Sequence, residues 1–317
     1  MKPLPSTEER VWAVLSHLSA LAFGMGILLP VFAWSEQRRK SNYAAFQSLQ
    51  ALGYQSLGYT FWILASLVII VIQAIFTVRE LASAYESGKD PAGFLGTIVT
   101  GHFGVTFGLI GLYLLLPVMA AVATALGRDF RYPLMGNRLA RYLGYNGTRT
   151  TEDQNWLVED HEDRWVAAMG HFAVIIALWG MLAPLVAWVM QGKRSPFLRF
   201  QSVQTVLYQA GVILLSFSAL LIYLFGSVLS LGSLGFRGEE GFSSPSAIFG
   251  IVVFVITLLI VIALLLIIPL FHIQGQWAGY RVLKGDNYRY PWVGRLVERW
   301  LVKDTRLSAK GTPEMIQ

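Results

Sequence analysis

Four uninterrupted apolar runs, at 57–78, 104–126, 203–231 and 248–273, contain no Asp, Glu, Lys or Arg. Each is long enough to cross the hydrocarbon core of a bilayer as a helix, which takes about 20 residues. Lipid offers the backbone no hydrogen-bond partner, so only helices and closed barrels can span it. Barrel strands alternate apolar and polar residues, and these runs do not. Only 14% of the 317 residues are charged, against about 25% in a soluble chain. The chain therefore reads as all-α, a polytopic membrane helical bundle.

The chain also repeats itself. The spacing that separates Glu8 from Glu162 runs without a gap to Gln55 and Gln209. Identical pairs along it include Arg10 and Arg164, His17 and His171, Gly26 and Gly180, Pro30 and Pro184, and Trp34 and Trp188. Phe46 and Phe200, Gln47 and Gln201, Gln50 and Gln204, and Tyr54 and Tyr208 continue the series. A closing block, Arg131-Tyr132-Pro133, recurs as Arg289-Tyr290-Pro291 at a spacing four residues wider, so copy two carries an insertion in its middle. Copy one covers 1–144, a polar connector 145–160, copy two 161–303 and a polar tail 304–317. Each copy is expected to hold a short Gly/Pro-broken helical hairpin, two full spans and a terminal amphipathic interfacial helix.

The ordered set of Glu-x-Arg, the helical histidine, a Gly/Pro-interrupted apolar segment, tryptophan, a basic loop, Phe-Gln-x-x-Gln and Arg-Tyr-Pro carries a family resemblance. Each copy resembles the bacterial membrane family of unknown function related to the twenty-kilodalton component of the chloroplast inner-envelope protein translocon. Members are usually a single copy, so the tandem form departs from the pattern. The resemblance implies four membrane helices per copy and assigns no biochemical activity.

Basic residues decide how segment 11–34 is read, because lysine and arginine accumulate on the cytoplasmic side. A single crossing would split them with little asymmetry. A hairpin broken at Gly26 and Pro30, and again at Gly180 and Pro184, leaves only Arg79, Lys89 and Arg237 of the 25 on the opposite face. Proline removes a helical hydrogen bond, which suits a break. The hairpin reading makes the two copies parallel, puts both termini in the cytoplasm, and predicts spans at about 46–78, 94–126, 200–231 and 247–273. The leader lacks the positive charge of a signal peptide, since Lys2 and Arg10 offset Glu8 and Glu9. A bacterial plasma membrane is the expected location. The net charge of +6 belongs to basic loops and gives no reason to expect nucleic acid.

The polar residues inside the membrane segments are the candidate functional set. His17 and His171 lie on the first legs of the hairpins, and a histidine there can shuttle protons or act as interhelical glue. Gln47, Gln50 and Tyr54, with Gln201, Gln204 and Tyr208, follow helical spacing at the start of a span. They either line a polar path or tie the hairpin to the span, since an amide in lipid must find a partner. Gly104 and Gly108 allow close helix approach. Arg131, Tyr132, Pro133, Arg138 and Arg141, with Arg289, Tyr290, Pro291, Trp292, Arg295, Arg299 and Trp300, read as interfacial anchors on an anionic leaflet. The acidic stretch 152–163 reads as a solvated connector, and Asn146-Gly147-Thr148 as a glycosylation sequon that would be silent in the cytoplasm.

No cysteine is present, which removes disulfides and thiolate chemistry. No zinc-protease, phosphate-loop or nucleophile-elbow motif occurs, and no carboxylate lies within the spans. The chain is expected to be no enzyme and to need no cofactor. It reads as a scaffold or translocon-like subunit, with the lipid bilayer and other membrane proteins as partners and its oligomeric state open. The alternative is a channel or transporter with a polar path between the copies.

Overall fold

The computed structural model describes residues 4–87, 91–147, 156–234 and 245–310, and among them there is no strand. Copy one contains α1 (Thr7–Leu18), a tight helical stretch (Ser19–Ile27), α2 (Leu28–Gln37), α3 (Asn42–Ser87), α4 (Pro91–Ala125) and α5 (Gly136–Leu143). Copy two repeats the series as α6 (Glu159–Phe172), Ala173–Met181, α7 (Leu182–Gln191), α8 (Pro196–Leu234), α9 (Pro245–Leu283) and α10 (Val293–Lys310). Lys89, Thr148, Glu152 and Arg237 lie outside the described residues, as do half of the connector and the end of the tail.

Each first segment doubles back. Ser6 caps α1: its hydroxyl accepts from the Glu9 amide while Glu9 accepts from the Ser6 amide at 2.6 Å. Such a box is worth about 1 kcal/mol. The legs then meet at their open ends, where Gln37 donates to Glu8 at 3.4 Å and Ser41 to Glu9 at 2.5 Å. Higher up, Trp12 packs on Phe32 with ring centroids 6.0 Å apart. In copy two Pro184 lies against Gly170. The segment Thr7–Gln37 is long and apolar enough to cross a bilayer, but its ends sit side by side, so it does not cross.

The break differs from the expected one. The residue that leaves helical geometry is Phe23, at φ 49° and ψ −133°, while Pro30 sits inside the first turn of α2. Gly26 contributes by its size, because a Cβ there would lie 1.9 Å from the Ser19 carbonyl, and one on Gly180 would lie 2.0 Å from that of Ala173. The hairpins thus turn by close backbone approach, and their prolines pack the returning legs.

The long helices exceed the expected spans. α3 has 46 residues, about 69 Å at 1.5 Å per residue, so its ends project past a core of about 30 Å. Gly104 and Gly108 do not mediate packing: no atom lies within 4 Å of a Cβ built on either, nor on Gly101 or Gly111. In copy two α8 and α9 do pack closely, with Gly226 against Thr257 and Ser230 Oγ donating to the Gly250 carbonyl at 2.8 Å.

The copies are joined at the open ends of their hairpins, which lie on one side and make the copies parallel. The acidic start of copy two, expected as solvated connector, folds onto the buried Arg38 of copy one. That guanidinium lies 3.4 Å from Glu159, 3.3 Å from Glu162 and 3.0 Å from Asp163, and donates to Gln191 at 3.2 Å. It also sits 4.5 Å from the centre of the Trp34 ring, whose indole N–H donates to Glu162 at 3.0 Å. Deeper down, Trp165 fills the space left by Gly53 and donates to the Leu49 carbonyl at 2.9 Å. Glu162 is fully buried, and burial pushes its carboxyl up to about 7 against the pull of Arg38.

Replacing Arg38 with Met leaves buried carboxylates without their cation and is expected to lower stability by about 3–5 kcal/mol, read by unfolding in detergent. An unchanged transition would mean that this cluster does not hold the copies together. The raised carboxyl also gives a pH dependence. The fold favours protonated Glu162, so stability should fall as pH rises from about 4.5 to about 7. Glu162→Gln should flatten that slope.

Candidate functional site

In each copy the histidine, both glutamines and the tyrosine of the Arg-Tyr-Pro block converge in one buried network. In copy one His17 Nε2 lies 3.0 Å from Gln47 Oε1 and His17 Nδ1 lies 3.0 Å from the Tyr132 hydroxyl. Gln47 Nε2 donates to Asp129 at 3.0 Å and to the Phe130 carbonyl at 3.1 Å. Gln50 Nε2 donates to Gln47 Oε1 and to the same Phe130 carbonyl, and Gln50 Oε1 accepts from the Tyr132 amide.

The partners fix every direction. Gln47 gives its amide hydrogens to acceptors only, so its oxygen must accept from His17 Nε2–H. A neutral imidazole then has one lone pair left, at Nδ1, and takes the Tyr132 O–H there. No donor or acceptor of the ring remains for a substrate.

Copy two repeats the network and adds Thr205, where copy one has Ala51, with its hydroxyl 2.9 Å from His171 Nδ1. His171 lies 2.9 Å from Gln201 Oε1 and 3.0 Å from the Tyr290 hydroxyl. Gln201 donates to Asn287 and to the Tyr288 carbonyl, and Gln204 donates to Gln201 and the same carbonyl while accepting from the Tyr290 amide. Asn287 stands where copy one has Asp129. An amide and a carboxylate serve alike, so the position requires an acceptor and not a charge.

Tyr54 and Tyr208 close the networks by stacking on Tyr132 and Tyr290, at 4.4 and 3.8 Å between centroids. Their hydroxyls donate to the carbonyls of Tyr113 and Phe271. The two histidine networks are separate, and no hydrogen bond among the described residues joins one to the other.

The closing block divides into two roles. Tyr132 and Tyr290, expected as interfacial anchors, are buried as histidine partners. The prolines of the block set a backbone turn that sequence spacing did not show. Pro133 and Pro291 are each followed by a left-handed residue, Leu134 at φ 64° and Trp292 at φ 71°. Non-glycine residues rarely adopt this geometry, and here it turns a large apolar side chain outward, 88% exposed for Leu134 and 82% for Trp292. Arg138, Arg141, Arg295 and Arg299 are exposed beside them, while Arg131 pairs with Asp129 and Arg289 with Glu298. Trp300 meets Trp188 edge to face at 6.1 Å.

Sequence reasoning missed the Trp34–Arg38–Glu162–Gln191 cluster. A signal was present: Arg38 is matched by Gly192 inside an otherwise repeated stretch, which marks a residue with work in one copy only. Among the described residues, no three His, Asp or Glu side chains converge with metal-binding geometry.

His17→Ala leaves Tyr132 without its partner and opens a cavity, so a loss of about 2–4 kcal/mol is expected, and the same for His171→Ala. Unfolding in bicelles would read both. A variant as stable as the parent would remove the structural role from that histidine.

Neither the curated proteins nor the solved structures give a match. One family model matches twice, over residues 8–139 and 162–297, following the two copies. That match carries no link to the chloroplast translocon. The chain therefore belongs to the magnetosome magnetite crystal formation protein family, MamF_MmsF, and carries its domain in tandem.

Proposed function

We propose that the protein is a non-catalytic structural subunit of a bacterial membrane, acting as the family description suggests where a membrane bounds a growing crystal. One observation carries this reading. The conserved-by-duplication polar residues spend their hydrogen bonds on joining hairpin, span and tail, so they hold a shape and leave no reactive group. What the molecule then offers is a rigid pair of re-entrant modules with outward apolar and basic anchors on one face. A scaffold for other membrane proteins fits that form better than an enzyme or a pathway does.

Crosslinking in native membranes followed by mild detergent extraction is expected to recover protein partners. Repeated recovery of the chain alone would count against the scaffold. Liposomes containing the pure protein should show no ion or solute flux; flux abolished by Gln50→Leu with Gln204→Leu would replace the scaffold by a transporter. Both termini and both hairpin mouths are placed in the cytoplasm by the basic residues. Single cysteines at the exposed Lys40 and Lys193 should label from the cytoplasm and one at Tyr85 from the other side. The reverse pattern would invert the orientation.

A further inference from the structure

The molecule is wider at one end than at the other. The hairpin legs α1, α2, α6 and α7 occupy the half that holds the mouths, while α3, α4, α8 and α9 continue past them. In α3 the buried residues run from Tyr43 to Ser56 and then stop. Among the described residues of α4, those buried are Pro117, Ala120, Ala121 and Thr124, at the end that returns to the mouths. In copy two the hairpin reaches Gln209 on α8, which donates to the Gly170 carbonyl, and Gly275 on α9, which lies against Val174. Beyond those levels α8 and α9 meet each other at Gly226 and Ser230. The hairpins also touch near their tips, where Gly24 lies against Ile176 and Trp179, so they form one block.

The tips end in lipid. Leu21, Phe23 and Met25 are exposed in copy one, and Leu178 and Trp179 in copy two. The returning legs α2 and α7 have 10 residues each. That is about 15 Å, half of a hydrocarbon core about 30 Å thick. The hairpins therefore displace lipid from one leaflet. A helix about 10–12 Å wide takes up roughly 80–110 Å² in cross-section, so the legs together add roughly 300–450 Å² to that leaflet alone. The tail helices add to the same side. α5 and α10 start beside Tyr132 and Tyr290, which bond the hairpin histidines. Leu296 and Trp300 share one exposed face of α10. The left-handed Trp292 leads into it, and the exposed Arg295 and Arg299 flank it. A helix of this pattern sinks its apolar face about 5–10 Å into the headgroup boundary, and its binding responds to curvature.

We propose that the protein bends the membrane, as a wedge whose broad end is made by the hairpins and the tail helices together. Material added to one leaflet expands that leaflet alone, and the bilayer relieves the mismatch by curving convex on that side. The direction of bending follows from where the mouths lie in the molecule and not from which compartment they face. The action is on lipid and needs no protein partner. It therefore goes beyond the scaffold reading and fails separately from it: a chain recovered alone from native membranes would still bend them.

Reconstitution of the full chain carrying Lys193→Cys tests the wedge. The recipient is large vesicles of dioleoylphosphatidylcholine with dioleoylphosphatidylglycerol, imaged by electron cryomicroscopy at rising protein-to-lipid ratio. The vesicles are expected to give way to tubules and small vesicles. In these a membrane-impermeant maleimide should label the new thiol from outside, the convex side, because position 193 is exposed at a hairpin mouth. Trp292→Ser with Leu296→Ser removes side chains that are largely exposed, so the variant should unfold like the parent yet need several-fold more protein to reach the same diameter. Phe76→Ala, exposed on the narrow end of α3, should bend membranes like the parent. Unchanged vesicle size at every ratio, with the chain inserted and folded, would overturn the proposal. So would thiols held mainly on the concave side, a double serine variant as effective as the parent, or a Phe76→Ala variant that fails to bend.

Discussion

A fully buried imidazole bonded on both sides is the point from which each copy is organised. His17 and His171 stand on the first hairpin leg and reach the second element through a glutamine and the last through a tyrosine. Three pieces of chain far apart in sequence are thereby held at one depth. In a membrane there is little hydrophobic gain from bringing helices together, because lipid tails are as apolar as leucine, so packing and polar contacts must do it. A hairpin that enters and returns is the weakest such element, since its turn leaves backbone groups at membrane depth. Tethering it at the histidine and sealing it with Gly26 or Gly180 makes it permissible.

The second constraint is electrostatic and belongs to one interface. Arg38 is surrounded by Glu159, Glu162 and Asp163, with Gln191 and Trp34 completing the set. Buried ion pairs contribute little net stability compared with apolar packing but specify partner and register. Here the specified partner is the other copy. Duplication supplied two equivalent hairpins, and one substitution, arginine where the repeat has glycine, gave them a defined order. The equivalent edges on the outside of the pair lack that arginine, so the contact is made once.

The two copies then diverged in their spans while keeping their histidine networks. Copy two closed α8 onto α9 through Gly226 and Ser230. Copy one instead packs α3 on α4 through Tyr54 and Tyr59 against Tyr113. A network retained in both copies is what the fold requires, and a feature present in one is free to carry something else. The same comparison explains Asp129 and Asn287: the acceptor stayed and the charge did not.

Much of this was legible in the chain. Uncharged runs of bilayer length fixed the helical membrane class, the repeat fixed two modules, and the basic residues required hairpins, because these properties depend on composition and local periodicity. The pairing of His17 with Gln47 could be suspected from recurrence, since an amide in lipid must find a partner. Other features were not legible. The break at Phe23, the left-handed Leu134 and Trp292, and the burial of Tyr132 and Tyr290 depend on how a returning chain meets its own backbone. The acids before copy two looked like a solvated linker because their cation lies more than a hundred residues away. Gly104 and Gly108 carried a packing motif that no neighbour uses. Sequence determined which segments are long and apolar enough to enter the bilayer, through transfer free energy. Only tertiary structure decided which polar groups satisfy one another there, because that depends on contacts between segments that no local pattern encodes.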